Sequence, residues 1–226
     1  MSTIFSSFLL ITCICTLTIR ACSAGDPDNL FDSCPADTKT HTVFINGYPC
    51  KSPSERGPSD FKSSVLSMRG DTDNLFRSSV TMSTAAVFPG LNTLGLSGAR
   101  IDLDVDGVVA PHSHPRASEI IFVRAGLVVA GFVDSGARVF QKQLGEGDVF
   151  LFPKGLLHYC FNAGFEEAAV FSVFNSQNPG LIGISSGLLM GNGSGSYEGV
   201  KMVVEKLKAV SVRDLDGVSA VELFGE

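Results

Sequence analysis

Basic residues are scarce in this chain. Seventeen Lys and Arg stand against 23 Asp and Glu in 226 residues, for a formal net charge of −6. They form no cluster, so binding to nucleic acid by phosphate neutralisation is not expected. Long apolar runs are missing too. The run from Phe8 to Ile19 has 12 residues, against the roughly 20 that span a bilayer, and nothing later is long and apolar enough for a transmembrane helix. There is no Gly-rich phosphate loop, no internal repeat and no linker long enough to separate domains. Charge is low at 18%, while Gly (24) and Pro (10) are plentiful. This is the composition of a turn-rich globular protein and not of a disordered acidic chain. The length allows one domain with a sizeable core, or at most two small ones.

The first 24 residues read as a signal peptide, with small residues Cys22-Ser23-Ala24 at the cleavage positions. The segment lacks a Lys or Arg ahead of its apolar run, and Arg20 follows it. Removing it takes away Arg20 and no acid, so the mature chain carries −7. Cys13, Cys15 and Cys22 leave with it, and Cys34, Cys50 and Cys160 remain. An oxidising compartment would let Cys34 and Cys50 pair. Closing such a loop is worth about 3 kcal/mol in the chain-entropy model. Asn192-Gly193-Ser194 is a glycosylation sequon.

Four segments follow from the pattern: a signal peptide (1–24), an N-terminal arm (25–78), a β-barrel (79–190) and a Gly/Ser-rich tip with a helical C-terminal segment (191–226). The arm is polar and irregular, with a short helix expected over Phe61–Met68. From about Val80 to Ile184, apolar runs of 4 to 8 residues recur between Gly, Pro, Asn and Asp. They are Ala99–Val105, Ile120–Val123, Leu127–Val133, Val139–Leu144, Val149–Phe152 and Ala168–Phe174. Ile101, Leu103 and Val105 alternate with Arg100, Asp102 and Asp104, the period-two signature of a half-buried strand. Many short strands at regular spacing predict a sandwich or barrel. Val203, Leu207 and Val210 lie at helical spacing near the end.

Three of the four histidines fall in two compact motifs. The first is Pro111-His112-Ser113-His114-Pro115-Arg116-Ala117-Ser118-Glu119. Residues i and i+2 share a face of a strand, so His112 and His114 can point into a barrel side by side. Pro115 bends or ends that strand, and the next one begins near Glu119 and returns its carboxylate to the same point. The second motif spans Gly147, Pro153, Gly155, His158 and Asn162, a strand, a turn and a returning strand opened by His158. Between Gly126 and Gly147 there is room for a hairpin. Together His112, His114, Glu119 and His158 make an N3O metal set. Cys160, two residues past His158, shares the inward face either as a soft accessory ligand or as a small buried hydrophobe. His41 stands outside both motifs.

These paired motifs resemble those of the cupin superfamily, and the first resembles the germin box. Phe88-Pro89-Gly90-Leu91-Asn92-Thr93-Leu94-Gly95, Asn175-Ser176-Gln177-Asn178-Pro179-Gly180, Asp26-Pro27-Asp28 and the Cys34/Cys50 pair also resemble germin segments. The resemblance covers about Gly25 to Leu188. It implies an all-β jelly-roll barrel with a disulfide-tied N-terminal arm and short C-terminal helices. It also implies a manganese ion on His112, His114, Glu119 and His158, export to the apoplast, and a hexamer built as a trimer of dimers. Manganese itself comes only from the resemblance, since the Irving–Williams order favours zinc or copper at a free N3O site. Asp106 stands where the family has Gly, in a turn that Asp tolerates.

Four protein ligands around an octahedral ion leave two positions open, as a catalytic site requires. Superoxide dismutation in the cell wall, with a role in defence, is the leading expectation. A non-catalytic matrix, receptor, binding or storage-like protein is the alternative. Oxalate-oxidising germins are understood to hold their substrate with two asparagines ahead of the His-x-His. Ala99 and Val109 occupy those positions here, so oxalate oxidase activity is not expected. Hydrolysis of nucleotide sugars ranks last, without a phosphate loop or a basic cluster.

Overall fold

The structure, a computed structural model, describes residues 34–39 and 47–183. The described strands are β1 (Ser78–Ser83), β2 (Ser97–Leu103), β3 (Val108–Ser113), β4 (Glu119–Ala125) and β5 (Val128–Val133). They continue with β6 (Val139–Leu144), β7 (Val149–Phe152), β8 (Leu157–Asn162), β9 (Ala168–Phe174) and β10 (Ile182–Gly183). They form two five-stranded sheets, ordered β1-β2-β9-β4-β7 and β10-β3-β8-β5-β6, with every pairing antiparallel. The all-β fold expected from the short apolar runs is the fold observed.

Alternation along the strands places the core. On β4, Glu119, Ile121 and Val123 are buried while Ile120, Phe122 and Arg124 are exposed. Ile121, Val123, Val128, Phe152, Cys160 and Val170 belong to one apolar cluster, built from β4, β5, β7, β8 and β9. Both sheets contribute to it, as in a sandwich closed around its own inner faces. The hairpin expected between Gly126 and Gly147 is β5–β6. Gly126 has φ +85°, and a Cβ there would lie 2.7 Å from the Cβ of Ala168, so the turn into that hairpin requires glycine. Asp106 sits in the β2–β3 turn at φ +63°, a left-handed conformation that Asp tolerates.

Two expectations are corrected. No helix spans Phe61–Met68: a 3-10 turn covers Pro58–Phe61 and a second turn follows. Serine side chains compete for the backbone there. Ser63 Oγ accepts from Val65 N–H, and Ser67 Oγ donates to the Ser64 carbonyl. On β2, Asp102 was expected to face solvent but is buried. Arg100 Nε donates to both of its oxygens at 2.9 and 3.0 Å, and the Gly70 N–H adds a third bond. The loop before β1 therefore lies over that end of β2.

The Cys34–Cys50 disulfide is formed. Asn92 fastens the same region without covalent bonds. Its amide donates to the carbonyls of Cys34 and Tyr48, and its Oδ1 accepts from Tyr48 N–H. Asn92 is fully buried, so each of these bonds is shielded from water. The segments predicted for 1–24 and 191–226, His41, the Asn192 sequon and the C-terminal helices lie outside the described residues.

Candidate metal centre

The four predicted ligands converge. One ligand atom from each of His112, His114, Glu119 and His158 lies within 4.8 Å of the others. His112 comes from β3 and stands directly opposite His158 on β8. Between Val109 and His112 the β3–β8 register shifts. Pro111, which has no N–H to donate, sits in that irregularity, so the ladder loses no donor there. A bulge next to a site re-aims the side chains that follow it. β3 ends at Ser113, and β4 opens at Glu119, whose side chain returns to the same point.

Each imidazole is held by a backbone carbonyl. His112 Nδ1 donates to the Ala110 carbonyl (2.9 Å), His158 Nδ1 to that of Leu156 (2.8 Å), and His114 Nδ1 to that of Gly180. A carbonyl can only accept, so each Nδ1 carries the hydrogen and each Nε2 keeps its lone pair. Those of His114 and His158 face Glu119. Oε2 of Glu119 lies 3.2 Å from His158 Nε2 and 3.5 Å from His114 Nε2. Glu119 Oε2 and His158 Nε2 are buried and have no hydrogen-bond partner. Three nitrogen lone pairs and a carboxylate, packed together away from water, repel one another unless a cation lies between them. The donor set therefore fits a divalent metal ion.

The electrostatics agree. Burial, followed by the neighbouring His158, pushes His112 down to about 4, so it stays neutral over the physiological range. Burial opposes ionisation of Glu119, but contacts from His114, His158 and Ser172 outweigh it and hold the acid down at about 2. Burial also works against charge on His114, yet its bonds to Glu119 and Gly180 leave it raised.

Aromatic rings fix the ligand rings from behind. Phe152 stacks on His158 with centroids 4.5 Å apart, and Phe174 meets His114 edge-on at 4.8 Å. Cys160 is a buried member of the barrel core, and its thiol pKa is raised by burial and then by Glu119. The hydrophobe reading of Cys160 is thus the one its surroundings favour.

Sequence reasoning missed four contributors. Gly180 supplies the carbonyl for His114, Phe152 and Phe174 supply the packing, and Ser172 places a hydroxyl beside Glu119. The Asn178-Pro179-Gly180 turn was a visible signal for the first, though not for its contact with a histidine 66 residues earlier.

Residues 65–194 match the cupin family. The chain is 52% identical over 178 residues to germin-like protein subfamily 3 member 4 of Arabidopsis thaliana, covering 78% of this chain and 84% of that protein. It is 56% identical over 162 residues to germin-like protein 11-1 of Oryza sativa subsp. japonica, covering 71% and 73%. The chain belongs to the germin-like proteins of the cupin family. Among solved structures, an oxalate oxidase superposes on this germin-like chain with a TM-score of 0.71 at 35% identity, covering 83% of this chain and 100% of that one. Among the described residues, no helix is long and apolar enough to cross a membrane.

Proposed function

We propose that this germin-like chain holds one manganese ion on His112, His114, Glu119 and His158 and dismutes superoxide in the apoplast, where the peroxide formed serves defence or wall cross-linking. The observation that carries the metal reading is the gathering of ligand atoms from three histidines and a buried carboxylate within 4.8 Å, where Glu119 Oε2 and His158 Nε2 have no hydrogen-bond partner. Dismutation converts two superoxide anions and two protons into dioxygen and hydrogen peroxide. When bound, manganese supplies the one-electron redox chemistry.

The chain's own residues do the rest. The Ala110, Leu156 and Gly180 carbonyls orient the imidazoles and hold the hydrogen on Nδ1, leaving Nε2 for the metal. Phe152 and Phe174 stop the rings from turning. His112 is only partly buried, which leaves a route for a small solute to that side of the site. The lining suits a small anion better than a dicarboxylate. Ala99 packs with Ala117 and Phe174, and Val109 packs against the barrel core. Neither side chain offers a hydrogen bond. Oxalate oxidation is thus not proposed, although the chain resembles an oxalate oxidase in fold.

Secretion is proposed on the leader-like residues 1–24, and the formed Cys34–Cys50 disulfide agrees with an oxidising compartment. Glycosylation at Asn192 belongs to the same reading. Assembly into a hexamer is supported by an apolar strip on the outer face of the first sheet. Ile120, Phe122, Val149, Leu151 and Val173 are all exposed there, on the adjacent strands β7, β4 and β9.

The test is superoxide dismutation by the purified protein after chelation and after return of manganese or zinc. Activity restored by manganese and not by zinc supports the proposal. A manganese-loaded protein without activity would favour a non-catalytic binding role for the same site.

A further inference from the structure

Ser172 lies on β9, directly opposite Ala99 on β2 and Ile121 on β4. Its side chain therefore faces the barrel interior, on the same face as Ile121, and it is 2% exposed. Neither ladder neighbour has a polar side chain. Ser97, diagonal to it on β2, already donates to the Ser176 carbonyl. The Ser172 hydroxyl makes no hydrogen bond of normal geometry. A buried hydroxyl left in that state costs about 1–3 kcal/mol, so an apolar residue would serve the barrel better if packing were its only task.

The Glu119 carboxylate is within reach. Glu119 sits diagonally across β4 from Ser172, because Ile121 pairs with Ser172 and Glu119 pairs with Phe174. Diagonal partners across an antiparallel ladder are about 7–8 Å apart at Cα, which a long side chain spans. The Ser172 hydroxyl and Glu119 Oε2 are both buried without a hydrogen-bond partner.

We propose that Ser172 is a positioning residue of the metal centre, its hydroxyl donating to the Glu119 carboxylate and keeping the carboxylate turned toward the three imidazoles. This rests on the metal reading above. The hydroxyl acts through Glu119 and touches neither the ion nor substrate. Its removal should therefore show first in metal affinity, whereas a packing role would show first in the stability of the metal-free protein.

The experiment compares Ser172→Val with Ser172→Thr, which have nearly the same shape and differ in the hydroxyl. Manganese(II) affinity is measured by chelator competition, cobalt(II) is used as a spectroscopic probe, and urea unfolding is followed in the metal-free proteins. Ser172→Val should bind manganese about 10–100-fold more weakly, as expected when a partner of a ligand is removed. Its cobalt spectrum should shift, while its metal-free unfolding midpoint stays unchanged or rises. Ser172→Thr should bind like the wild type. If valine does not fold, Ser172→Ala takes its place in the same comparison. Equal affinity in the wild type and the hydroxyl-free variant would overturn the role of Ser172 and leave the metal site standing. A wild-type protein that takes up neither ion would remove the metal reading, and the role of Ser172 with it.

Discussion

The imidazole of His114 is tied to the carbonyl of Gly180, on the segment that follows the last long strand of the barrel. That bond joins the metal motif to a turn that holds no ligand. Gly180 itself adopts φ +71°, and a Cβ there would lie 2.7 Å from the Arg116 guanidinium. Arg116 in turn donates to the Asn178 carbonyl and amide oxygen. Gly180→Ala should cost about 1–2 kcal/mol from the left-handed backbone alone. It should also weaken metal binding by tilting His114. Urea unfolding and chelator competition on the same variant check both effects.

The disulfide should matter for stability and not for the site. Replacing Cys34 and Cys50 by serine removes a cross-link worth about 3 kcal/mol. The Asn92 bonds to this region remain, so the barrel should still fold. The expected result is a lower denaturant midpoint with unchanged metal content. A large loss of metal would mean that the arm shapes the centre.

Acid should weaken the protein in two ways. In the metal-free chain, His112 is held at about 4 by burial, below its ordinary value of 6.5. Between those values the unfolded chain binds more protons, so this contribution is complete above about pH 6.5 and declines as pH falls toward 4. Glu119, held at about 2 against an ordinary 4.5, acts with the same sign in its own lower window. His114 has the opposite sign. Its raised pKa adds stability below 6.5 that is lost as pH rises through its folded value. Metal binding requires all three imidazoles to be deprotonated, so acid also releases the ion. Urea midpoints at about pH 7 and pH 4.5, with and without manganese, should show the metal's stabilisation disappearing at the lower pH. Stabilisation that persists undiminished in acid would contradict imidazole ligation.

The apolar strip on the outer sheet face predicts self-association. Ile120 and Leu151 are paired across β4 and β7 and are both exposed. Changing both to lysine should leave the fold and the metal content intact while lowering the mass measured by light scattering. An unchanged mass would place the contact between subunits elsewhere.

Much of this site could be read in the sequence because strand geometry is local. His112, His114 and Glu119 sit within eight residues, and the period-two rule puts His112 and His114 on a shared face. The Pro153 and Gly155 turn likewise foretold that His158 would open a returning strand, and β8 begins one residue earlier. What stayed hidden depends on pairing. Nothing in the order of residues says that Ser172 lies diagonal to Glu119, or that Gly180 faces His114, since register between distant strands is a property of the closed barrel. Asp102 misled for a related reason. Alternation put it on the outer face correctly, but the loop that covers this face and bonds to it through Gly70 could not be seen in the strand itself. The serine-rich stretch after Phe61, expected as a short helix, turned instead, because its hydroxyls bond nearby backbone groups.

The most direct test of the central claim is the metal content of the purified chain, measured beside a His112→Ala, His114→Ala double variant that retains its fold by circular dichroism. One ion per chain in the wild type and none in the variant is the predicted result. Equal metal in both, or a folded wild-type protein that binds none when manganese and other divalent ions are offered, would contradict the assignment of His112, His114, Glu119 and His158 as ligands.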